Sequence, residues 1–348
     1  MSLAFRFATF RRIKNLDTII VGQGLAGSLL AWELIRAGQH ILVVDREHQD
    51  SASMIAAGIV NPVTGPRLAP CWRLEQLLAH ARHTYREIEG VVKTPVYRDA
   101  ELVRIFRDDT ERRLWMEKRS ASGTNRFLGS MRPPGWRPNQ INDPYGSFSP
   151  GGSGHLDVPT LLAAIGRFLR QNCQLEQTRF SYDELEFGES NVNWRNWSAD
   201  RIVFCEGALG QGNPWFGYLP FKCAKGEVLT VEPPKSGLPK QIVNREKWIL
   251  PSENGSFKAG STYEWETLDA KPSAAGRDEI LSALGKFIIG ELVVTGHQAG
   301  VRPIFKDYRP AIGFHPRDNR LAIFNGFASK GALDSQMHAP DSCARSTA

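Results

Sequence analysis

The strongest constraint on the fold is a glycine-rich turn near the amino terminus, with a strand pattern before it and a helix pattern after it. Residues 17–21 are mostly apolar and β-branched, the sequence GQGLAG follows at residues 22–27, and residues 28–37 carry apolar side chains at helical spacing. A second apolar run at residues 40–45 ends in an acid. A strand, a turn, a helix and a strand in such a short span form a βαβ unit. We therefore predict an α/β protein with a Rossmann-like domain.

The residue types of this turn suit the phosphates of a dinucleotide. Gly22 permits a tight turn, Gly24 lets the backbone approach a pyrophosphate, and Gly27 allows the helix to pack closely on the strand. Leu25 and Ala26 stand at the helix N-terminus, where free N–H groups attract phosphate. These five residues are candidates for cofactor binding. The alternative is a turn whose glycines serve only the backbone.

The acid at the end of the second strand bears on which dinucleotide binds. Asp45 is placed to accept hydrogen bonds from the adenosine ribose hydroxyls. A bare acid disfavours the extra phosphate of NADP, although the neighbouring Arg46 could pair with that phosphate. The turn, Asp45 and Arg46 by themselves leave FAD and NAD as alternatives.

Composition and charge argue against several other classes of protein. No apolar run approaches the roughly 20 residues that cross a bilayer. The five cysteines are dispersed without a CxxC pair and the eight histidines show no ligand spacing, so we predict a reducing, cytoplasmic location and no metal site. Peripheral attachment to the inner membrane is the alternative location. The net charge is +6, of which residues 1–15 supply four, and the remaining +2 argues against nucleic-acid binding.

The rest of the chain alternates helix and strand patterns. We expect helices at residues 73–88 and 278–289, and a further helix that begins with Asp157 as its N-cap. Between residues 212 and 300, aromatic and β-branched runs alternate with turns, which predicts an antiparallel sheet. Residues 90–150 mix short strand-like runs with charged residues and a Pro/Gly/Asn-rich segment, which predicts long loops.

Four further segments make the chain resemble the D-amino-acid-oxidase-like family of FAD-dependent oxidoreductases, which includes glycine oxidase and sarcosine oxidase types. Together with the glycine turn they occur in family order and cover nearly the whole chain. The segments are Ser53 to Pro62 with Ala56, Ala57 and Gly58; Gly154 to Pro159; Ile202 to Ala208 followed by Lys225, Gly226 and Glu227; and Gly300 to Pro303, Pro310 to Gly313 and Asn325 to Gly331.

This resemblance implies two domains assembled from discontinuous segments. A Rossmann-like domain would hold FAD, and a mostly antiparallel sheet would cover the flavin and form the substrate pocket. The predicted division is a basic N-terminal extension at residues 1–15, an FAD-binding domain at residues 16–89, 150–211 and 296–348, and a substrate-binding domain at residues 90–149 and 212–295.

The resemblance also implies which later residues meet FAD. Ala57 and Gly58 are expected against the flavin ring, and Gly207 is expected near the dinucleotide. At the pyrimidine edge of the flavin, backbone N–H groups or a lysine would stabilise charge on the reduced ring. The residues expected there are Gly326, Ser329, Lys330 and Gly331.

The chemistry that the resemblance implies is oxidation of the carbon–nitrogen bond of a small amine or amino acid. Hydride would pass from the carbon beside the amine to flavin N5, the imine would hydrolyse in water, and oxygen or a quinone would take up the electrons. Positioning matters more than a dedicated acid or base in such a reaction. We therefore nominate no catalytic residue, and we expect His155 and His297 to be structural.

Arg302 is the leading candidate for substrate binding. In amino-acid-oxidising members of the family, an arginine in this GxRP setting pairs with the substrate carboxylate, and a guanidinium fork suits two oxygens. The alternative is that Arg302 braces its loop. Tyr263 and Lys330 complete the set of candidates, while the alternative for Tyr263 and Trp265 is a place in the core.

The carboxy-terminal segment departs from the family pattern. Family members continue at this point into a long apolar helix whose start faces the flavin, whereas residues 332–348 are polar and contain Pro340. Two alternatives to an active amine oxidoreductase therefore stay open. One is a flavin-binding protein without turnover, and the other is a tRNA-modifying FAD domain, which the basic residues 1–15 favour.

Overall fold

The computed structural model describes residues 15–47, 51–70, 73–120 and 125–334, with the side chains of Asn125, Ser329 and Asp334 left out. The predicted basic extension therefore lies outside the described residues apart from Asn15. Residues 335–348, which form most of the polar carboxy-terminal segment, lie outside them as well.

Helices in these ranges are spread along the whole chain. The α-helices are α1 Leu25–Arg36, α2 Ala52–Ile55, α3 Leu74–Val92, α4 Asp109–Ser120, α5 Asn125–Leu128, α6 Val158–Gln171, α7 Ala274–Gly285 and α8 Gly331–Asp334. Short 3₁₀ turns occur at Tyr182–Glu184, Gly207–Gly212 and Ala328–Lys330.

Strands are short in the first half of the chain and longer in the second. They are β1 Asn15–Val21, β2 Ile41–Asp45, β3 Ile59–Val60, β4 Val63–Thr64, β5 Ala69–Pro70, β6 Tyr97–Asp99, β7 Leu102–Ile105, β8 Ser130–Arg132, β9 Ser147–Ser149, β10 Gly154–Leu156, β11 Leu175–Gln177, β12 Leu185–Phe187, β13 Val192–Trp194, β14 Trp197–Phe204, β15 Ala224–Glu232, β16 Ile242–Asn244, β17 Trp248–Pro251, β18 Phe257–Gly260, β19 Val293–Arg302, β20 Ala311–His315 and β21 Asp318–Asn325.

The first large sheet has a parallel centre, as the βαβ pattern predicts. β1 lies between β2 and β14 and is parallel to both, while β11 extends the sheet beyond β2 and β21 pairs with β14 in parallel. The antiparallel strands β12, β13 and β20 complete the edges. The chain thus leaves β1 toward β2 on one side and later returns to β14 on the other. Ligands of open α/β sheets bind at such a reversal of strand order.

Both faces of this sheet are buried, which explains the nearly continuous apolar runs of its strands. Ile20 faces a cluster that includes residues of α1, α3 and α6, and Ile19 faces the opposite cluster around Trp194 and Phe204. Helix α6 begins as predicted, because the Asp157 side chain accepts a hydrogen bond from the Thr160 N–H.

The second large sheet is mostly antiparallel, and this prediction is confirmed. Its strand order is β19-β15-β18-β17-β16-β7-β9-β8, with one parallel pair between β16 and β7. Helix α7 packs on it through the buried Ile280 and Leu284. The predicted domain boundary at residue 296 falls inside β19, which places residues 296–302 on this sheet.

Two local predictions were wrong. Residues 90–150 contain the helix α4, which was not predicted, in addition to short strands. The buried Trp115 holds the otherwise charged α4 in place beside Phe106 and Phe148. The helix predicted at residues 278–289 starts at Ala274, four residues early, because the Ser273 hydroxyl accepts a hydrogen bond from the Gly276 N–H and caps the helix.

Among the described helices, none combines the length and the apolar character that crossing a membrane requires.

Strand β10 contains a titratable residue, His155. Burial, with a smaller effect of Arg98, lowers the pKa of His155 from 6.5 to about 4. Because the pKa of His155 is lower in the folded than in the unfolded protein, the unfolded state takes up this proton first as the pH falls. The free energy of unfolding is therefore undiminished above pH 6.5 and decreases as the pH falls toward 4. We predict that wild-type protein loses roughly 2 kcal/mol more unfolding free energy between pH 7 and pH 5 than His155→Gln does.

Urea unfolding of both proteins at the two pH values measures this difference. The exposed His83 provides a control, since His83→Gln should leave the pH dependence of wild type intact. If wild type and His155→Gln lose the same unfolding free energy between pH 7 and pH 5, the lowered pKa of His155 is contradicted.

Candidate functional site

A cavity of about 1160 Å³ runs along the carboxyl ends of β1, β2 and β14 and continues between the two large sheets. It exceeds the roughly 300–1,000 Å³ of ordinary ligand pockets. Its wall contains the glycine turn, the loop at residues 51–59, and the ends of β15 and β19. A cavity of this size has room for an extended ligand and a second small molecule.

The glycine turn forms one end of this cavity, and its glycines are required by close backbone contacts. A Cβ at Gly22, which has a φ of +102°, would lie 2.5 Å from the Cys205 carbonyl oxygen. A Cβ at Gly27 would lie 1.8 Å from the Gly22 carbonyl oxygen. Gly24 is the N-cap residue of α1 and has no side chain that could accept a hydrogen bond from the helix. Leu25 and Ala26 line the cavity at this N-terminus.

Asp45 and Ser53 flank the turn. The Asp45 carboxylate accepts hydrogen bonds from the Gln23 N–H at 2.7 Å and from the Glu47 N–H at 2.6 Å. The Ser53 hydroxyl accepts a hydrogen bond from the Leu25 N–H at 3.1 Å. Sequence reasoning placed Asp45 here but missed Ser53, whose only signal was a small polar residue in the loop after β2.

The loop at residues 51–59 lies between the two sheets. Gly58 has a φ of +62°, and a Cβ there would lie 1.8 Å from the Leu156 carbonyl oxygen. A Cβ at Gly300 in β19 would lie 2.8 Å from Ile55 Cδ1, so α2 packs directly on that strand. Ala57 and Gly58 line the cavity, as does the exposed Arg46.

Two distant glycine turns meet at the middle of the cavity through Asn325. Its side-chain amide donates to the Gly207 carbonyl oxygen at 2.9 Å, and its amide oxygen accepts from the Gly326 N–H at 2.7 Å. Asn325 is only 2% exposed. A Cβ at Gly207 would point into open space, whereas one at Gly326 would lie 2.1 Å from the Phe305 ring. Sequence reasoning named both glycines but not the asparagine that joins them.

The segment after Gly326 is divided between the cavity and the surface. Ala328 and Gly331 line the cavity. The Lys330 side chain is exposed and does not line the cavity. Lys330 ends a short 3₁₀ turn, and Phe327 and Ala328 are the residues there that face the cavity. The Ser329 side chain lies outside the described part of the chain.

Arg302 at the end of β19 reaches the part of the cavity that faces the second sheet. Its guanidinium donates to the Thr262 carbonyl oxygen at 2.9 Å and to the Ser261 hydroxyl at 2.8 Å. Its central carbon lies 4.5 Å from the centre of the Tyr263 ring. Among the described residues, no carboxylate forms an ion pair with it, and burial lowers the pKa of Arg302 from its ordinary value. A partly buried cation without an anionic partner favours binding of an anion.

Glycine and lysine neighbours complete this end of the cavity. A Cβ at Gly226 would lie 2.0 Å from the Arg302 guanidinium, so only glycine leaves it room. Lys247 donates to the Ser261 carbonyl oxygen at 2.7 Å and pairs with Glu279 at 2.5 Å. Tyr263 and Lys247 both line the cavity, whereas Trp265 stacks behind Tyr263 at 5.8 Å.

A buried charge cluster lies behind the cavity wall. The Glu227 carboxylate accepts hydrogen bonds from the Ser273 N–H and hydroxyl, and its Oε2 lies 2.7 Å from His297 Nε2. Lys225 Nζ pairs with Asp269 at 2.9 Å. Neither His297 nor His155 lines the cavity. Within the described ranges, no group of three or more His, Cys, Asp or Glu residues is arranged to hold a metal ion.

Glu206 is a further titratable group of the cavity, and sequence reasoning did not single it out. It accepts hydrogen bonds from the Tyr182 hydroxyl at 2.5 Å and from the Asn213 side-chain amide at 2.8 Å. Burial raises the pKa of Glu206, and burial together with Glu206 raises the pKa of Tyr182. This pair braces the wall beside Gly207.

Comparison with known proteins agrees with this geometry. Residues 17–338 match the model of a protein family described as FAD dependent oxidoreductase. Glycine oxidase from Bacillus licheniformis is 24% identical over 348 residues, covering 92% of this chain and 90% of that protein. The chain is also 25% identical over 332 residues to the tRNA 5-methylaminomethyl-2-thiouridine biosynthesis bifunctional protein of Burkholderia mallei, covering 88% of this chain but 49% of that protein.

The fold recurs in a solved relative. The crystal structure of glycine oxidase from Bacillus cereus matches with a TM-score of 0.78 at 18% identity, over 94% of this chain and 95% of that one. The Rossmann-like arrangement and the covering antiparallel sheet are therefore a known architecture for the cavity described above.

The glycine turn allows a direct test of cofactor fit. A Cβ at Gly24 would lie 3.1 Å from Ser53 Oγ, which the apoprotein can accommodate by a small shift, but it would fill the approach to the start of α1. We predict that Gly24→Ala weakens FAD binding at least tenfold, roughly 1.4 kcal/mol, while the apoprotein keeps its stability. Titration of apoprotein with FAD, followed by flavin fluorescence, measures the loss.

Gly90→Ala is the matched control for this substitution. Gly90 is exposed in α3 and a Cβ there meets nothing within 4 Å, so FAD affinity should equal that of wild type. Unchanged FAD affinity in Gly24→Ala would show that the turn does not contact the pyrophosphate.

Proposed function

The chain belongs to the family of FAD-dependent oxidoreductases, and from this premise we propose that it oxidises the carbon–nitrogen bond of a small amino acid or amine. The observation that carries the proposal is Arg302, a partly buried guanidinium that lines the cavity without a carboxylate partner among the described residues. The similarity to glycine oxidase over nearly the whole chain supports the same substrate class.

The cavity fits FAD by its shape and by its donors. The turn at residues 22–27 and the N-terminus of α1 would hold the pyrophosphate, and Asp45 would hold the adenosine ribose. Ala57, Gly58 and the backbone around Gly207 would meet the rest of the cofactor. When bound, FAD supplies a hydride acceptor at N5 of its ring.

Arg302 would orient the substrate by binding its carboxylate. Two of its N–H groups are already committed to Thr262 and Ser261, which fixes the guanidinium plane, and the Tyr263 ring restricts it further. A carboxylate that pairs with the remaining N–H groups is held in one orientation, so the carbon beside the amine is presented to the cofactor. Positioning of this kind needs no dedicated acid or base.

Replacement of Arg302 tests this role. We predict that Arg302→Met lowers kcat/KM for glycine and other small amino acids by about 100-fold, equivalent to about 2.7 kcal/mol, through a higher KM. Amines without a carboxylate should lose much less. Stopped-flow reduction of the flavin under anaerobic conditions measures both classes of substrate.

Arg309→Met serves as the control, because Arg309 is exposed and does not line the cavity. A normal flavin spectrum in Arg302→Met shows that the site is intact. If Arg302→Met then oxidises amino acids as fast as wild type, Arg302 only braces its strand and the proposed role is wrong.

A tRNA-modifying FAD domain is the second candidate, and the similarity to the bifunctional tRNA-biosynthesis protein favours it. The chain spans about half the length of that relative. Salt-sensitive tRNA binding that is lost on deletion of residues 1–15 would support this candidate. Indifference of the flavin spectrum and of the protein's mobility to tRNA would exclude it.

The electron acceptor completes the proposal. We expect oxygen or a quinone to reoxidise the reduced enzyme in the cytoplasm, with attachment to the inner membrane as the alternative location. Among the cysteines that the structure describes, Cys173 and Cys223 are free thiols, which a reducing compartment would preserve. Oxygen uptake during turnover, compared with reduction of a soluble quinone, distinguishes the two acceptors.

A further inference from the structure

A second, smaller cavity adjoins the one described above. It has a volume of about 250 Å³ and meets the larger cavity at Asn61, Thr64, Asn244 and Glu246, which line both. This volume equals that of roughly eight waters at about 30 Å³ each. We call it the arginine chamber, because three arginines line it: Arg104, Arg107 and Arg245.

Arg104 is the most deeply buried of these arginines. The residue is only 5% exposed, and it donates to the Val63 and Gly65 carbonyl oxygens and to Glu111. Its Nε is buried and has no hydrogen-bond partner among the described residues. Burial also lowers the pKa of Arg104 from its ordinary value. The hydrogen bonds to Val63, Gly65 and Glu111 hold the Arg104 guanidinium in place, so it contributes a fixed positive charge at the wall of the chamber.

Arg245 adds a second donor of the same kind. It occupies the turn between β16 and β17, and it donates to the Lys286 carbonyl oxygen and to the Arg107 carbonyl oxygen, each at 3.0 Å. Its Nε is likewise buried and has no partner in the described part of the chain. Arg104 and Arg245 thus both place positive charge at the wall of one small cavity.

The charges around the chamber are not balanced by its acids. Glu111 pairs with both Arg104 and Arg107, and the lining Glu246 pairs with Lys286 at 2.8 Å. Arg245 has no carboxylate partner among the described residues. The four cations exceed the two acids, so the chamber keeps an excess of positive charge that an anion would neutralise.

The chamber is connected to Arg302 through the β16–β17 turn. Lys247 lies two residues after Arg245 in this turn and donates to the carbonyl oxygen of Ser261 at 2.7 Å. The hydroxyl of Ser261 accepts the hydrogen bond from Arg302. The turn therefore presents Arg245 to the chamber and Lys247 to the cavity beside Arg302.

We propose that the arginine chamber binds a second acidic group of the substrate, so that the preferred substrate is an amine with two carboxylates. One carboxylate pairs with Arg302 and the other enters the chamber, where guanidinium donors suit its two oxygens. The amine and the carbon that loses hydride lie between these two anchors. This inference rests on the proposed amine-oxidising function and specifies its substrate class.

Matched pairs of substrates and ligands test the inference in the FAD-loaded enzyme. The substrate pairs are glutamate with glutamine, aspartate with asparagine, and iminodiacetate with N-ethylglycine, with both enantiomers of the chiral acids. Glutarate and butyrate, titrated against the flavin absorbance, report equilibrium binding without turnover. We expect wild type to prefer the diacid in at least one substrate pair by tenfold or more, and to bind glutarate more tightly than butyrate.

Arg245→Gln and Arg107→Gln remove charge from the chamber and leave the Arg104–Glu111 pair in place. Each should reduce the preference for the diacid at least tenfold, through KM, and should change kcat/KM for the uncharged partner less than about twofold. Arg113→Gln is the control, because the Arg113 side chain is 78% exposed, pairs with Asp109 and lies outside the chamber.

Three results would overturn the inference. The first is a wild-type enzyme that does not distinguish diacids from their uncharged partners. The second is a preference that survives both chamber variants. The third is inorganic phosphate binding that depends on Arg245 but does not compete with glutarate, since the chamber would then hold an independent anion. Failure of every amine to bleach the flavin would instead reject the proposed function, and the glutarate titration would still decide whether the chamber binds a carboxylate.

Discussion

The close contact between the glycine turn and the end of β14 is the constraint on which the rest of the molecule depends. Gly22 and Gly27 bring the backbone of the turn against Cys205 and against itself, at distances that no Cβ would allow. Helix α1 can therefore start directly at the edge of the parallel sheet, with its N-terminus facing the cavity. Any side chain at these positions would push the helix away and close the place where we propose that the dinucleotide phosphates bind.

The two sheets contribute different kinds of residues to the candidate site. In the proposed function, the parallel sheet would supply backbone donors and one acid for the ribose, whereas the antiparallel sheet would supply the cations that face the substrate. The loop at residues 51–59 joins them, because Gly300 lets α2 pack against β19 and thereby fixes the strand that ends in Arg302. Gly226 on the neighbouring strand leaves room for the Arg302 guanidinium. Substrate position relative to the cofactor is thus set by backbone packing between the sheets.

Features that rest on local chemistry could be predicted from the sequence, and features that rest on long-range contacts could not. The βαβ unit follows from periodicity and from glycines in sequence, and Arg302 was named from its motif. Asn325, by contrast, matters because its amide joins turns 118 residues apart. The arginine chamber brings together Arg104 of β7, Arg107 just after β7 and Arg245 of the β16–β17 turn, and no spacing in the sequence predicts this meeting. Lys330 was predicted at the site from its motif, but the short turn that carries it directs its side chain to the surface.

The visible spectrum of the purified protein, recorded before and after anaerobic addition of small amino acids, tests the central claim most directly. The account predicts a yellow protein with flavin absorbance, bleached by at least one carboxylate-bearing amine and restored by an electron acceptor. A colourless protein that fails to take up added FAD would contradict the proposal that the cavity binds FAD. A yellow protein whose spectrum no amine changes would contradict the proposed activity and indicate flavin binding without turnover.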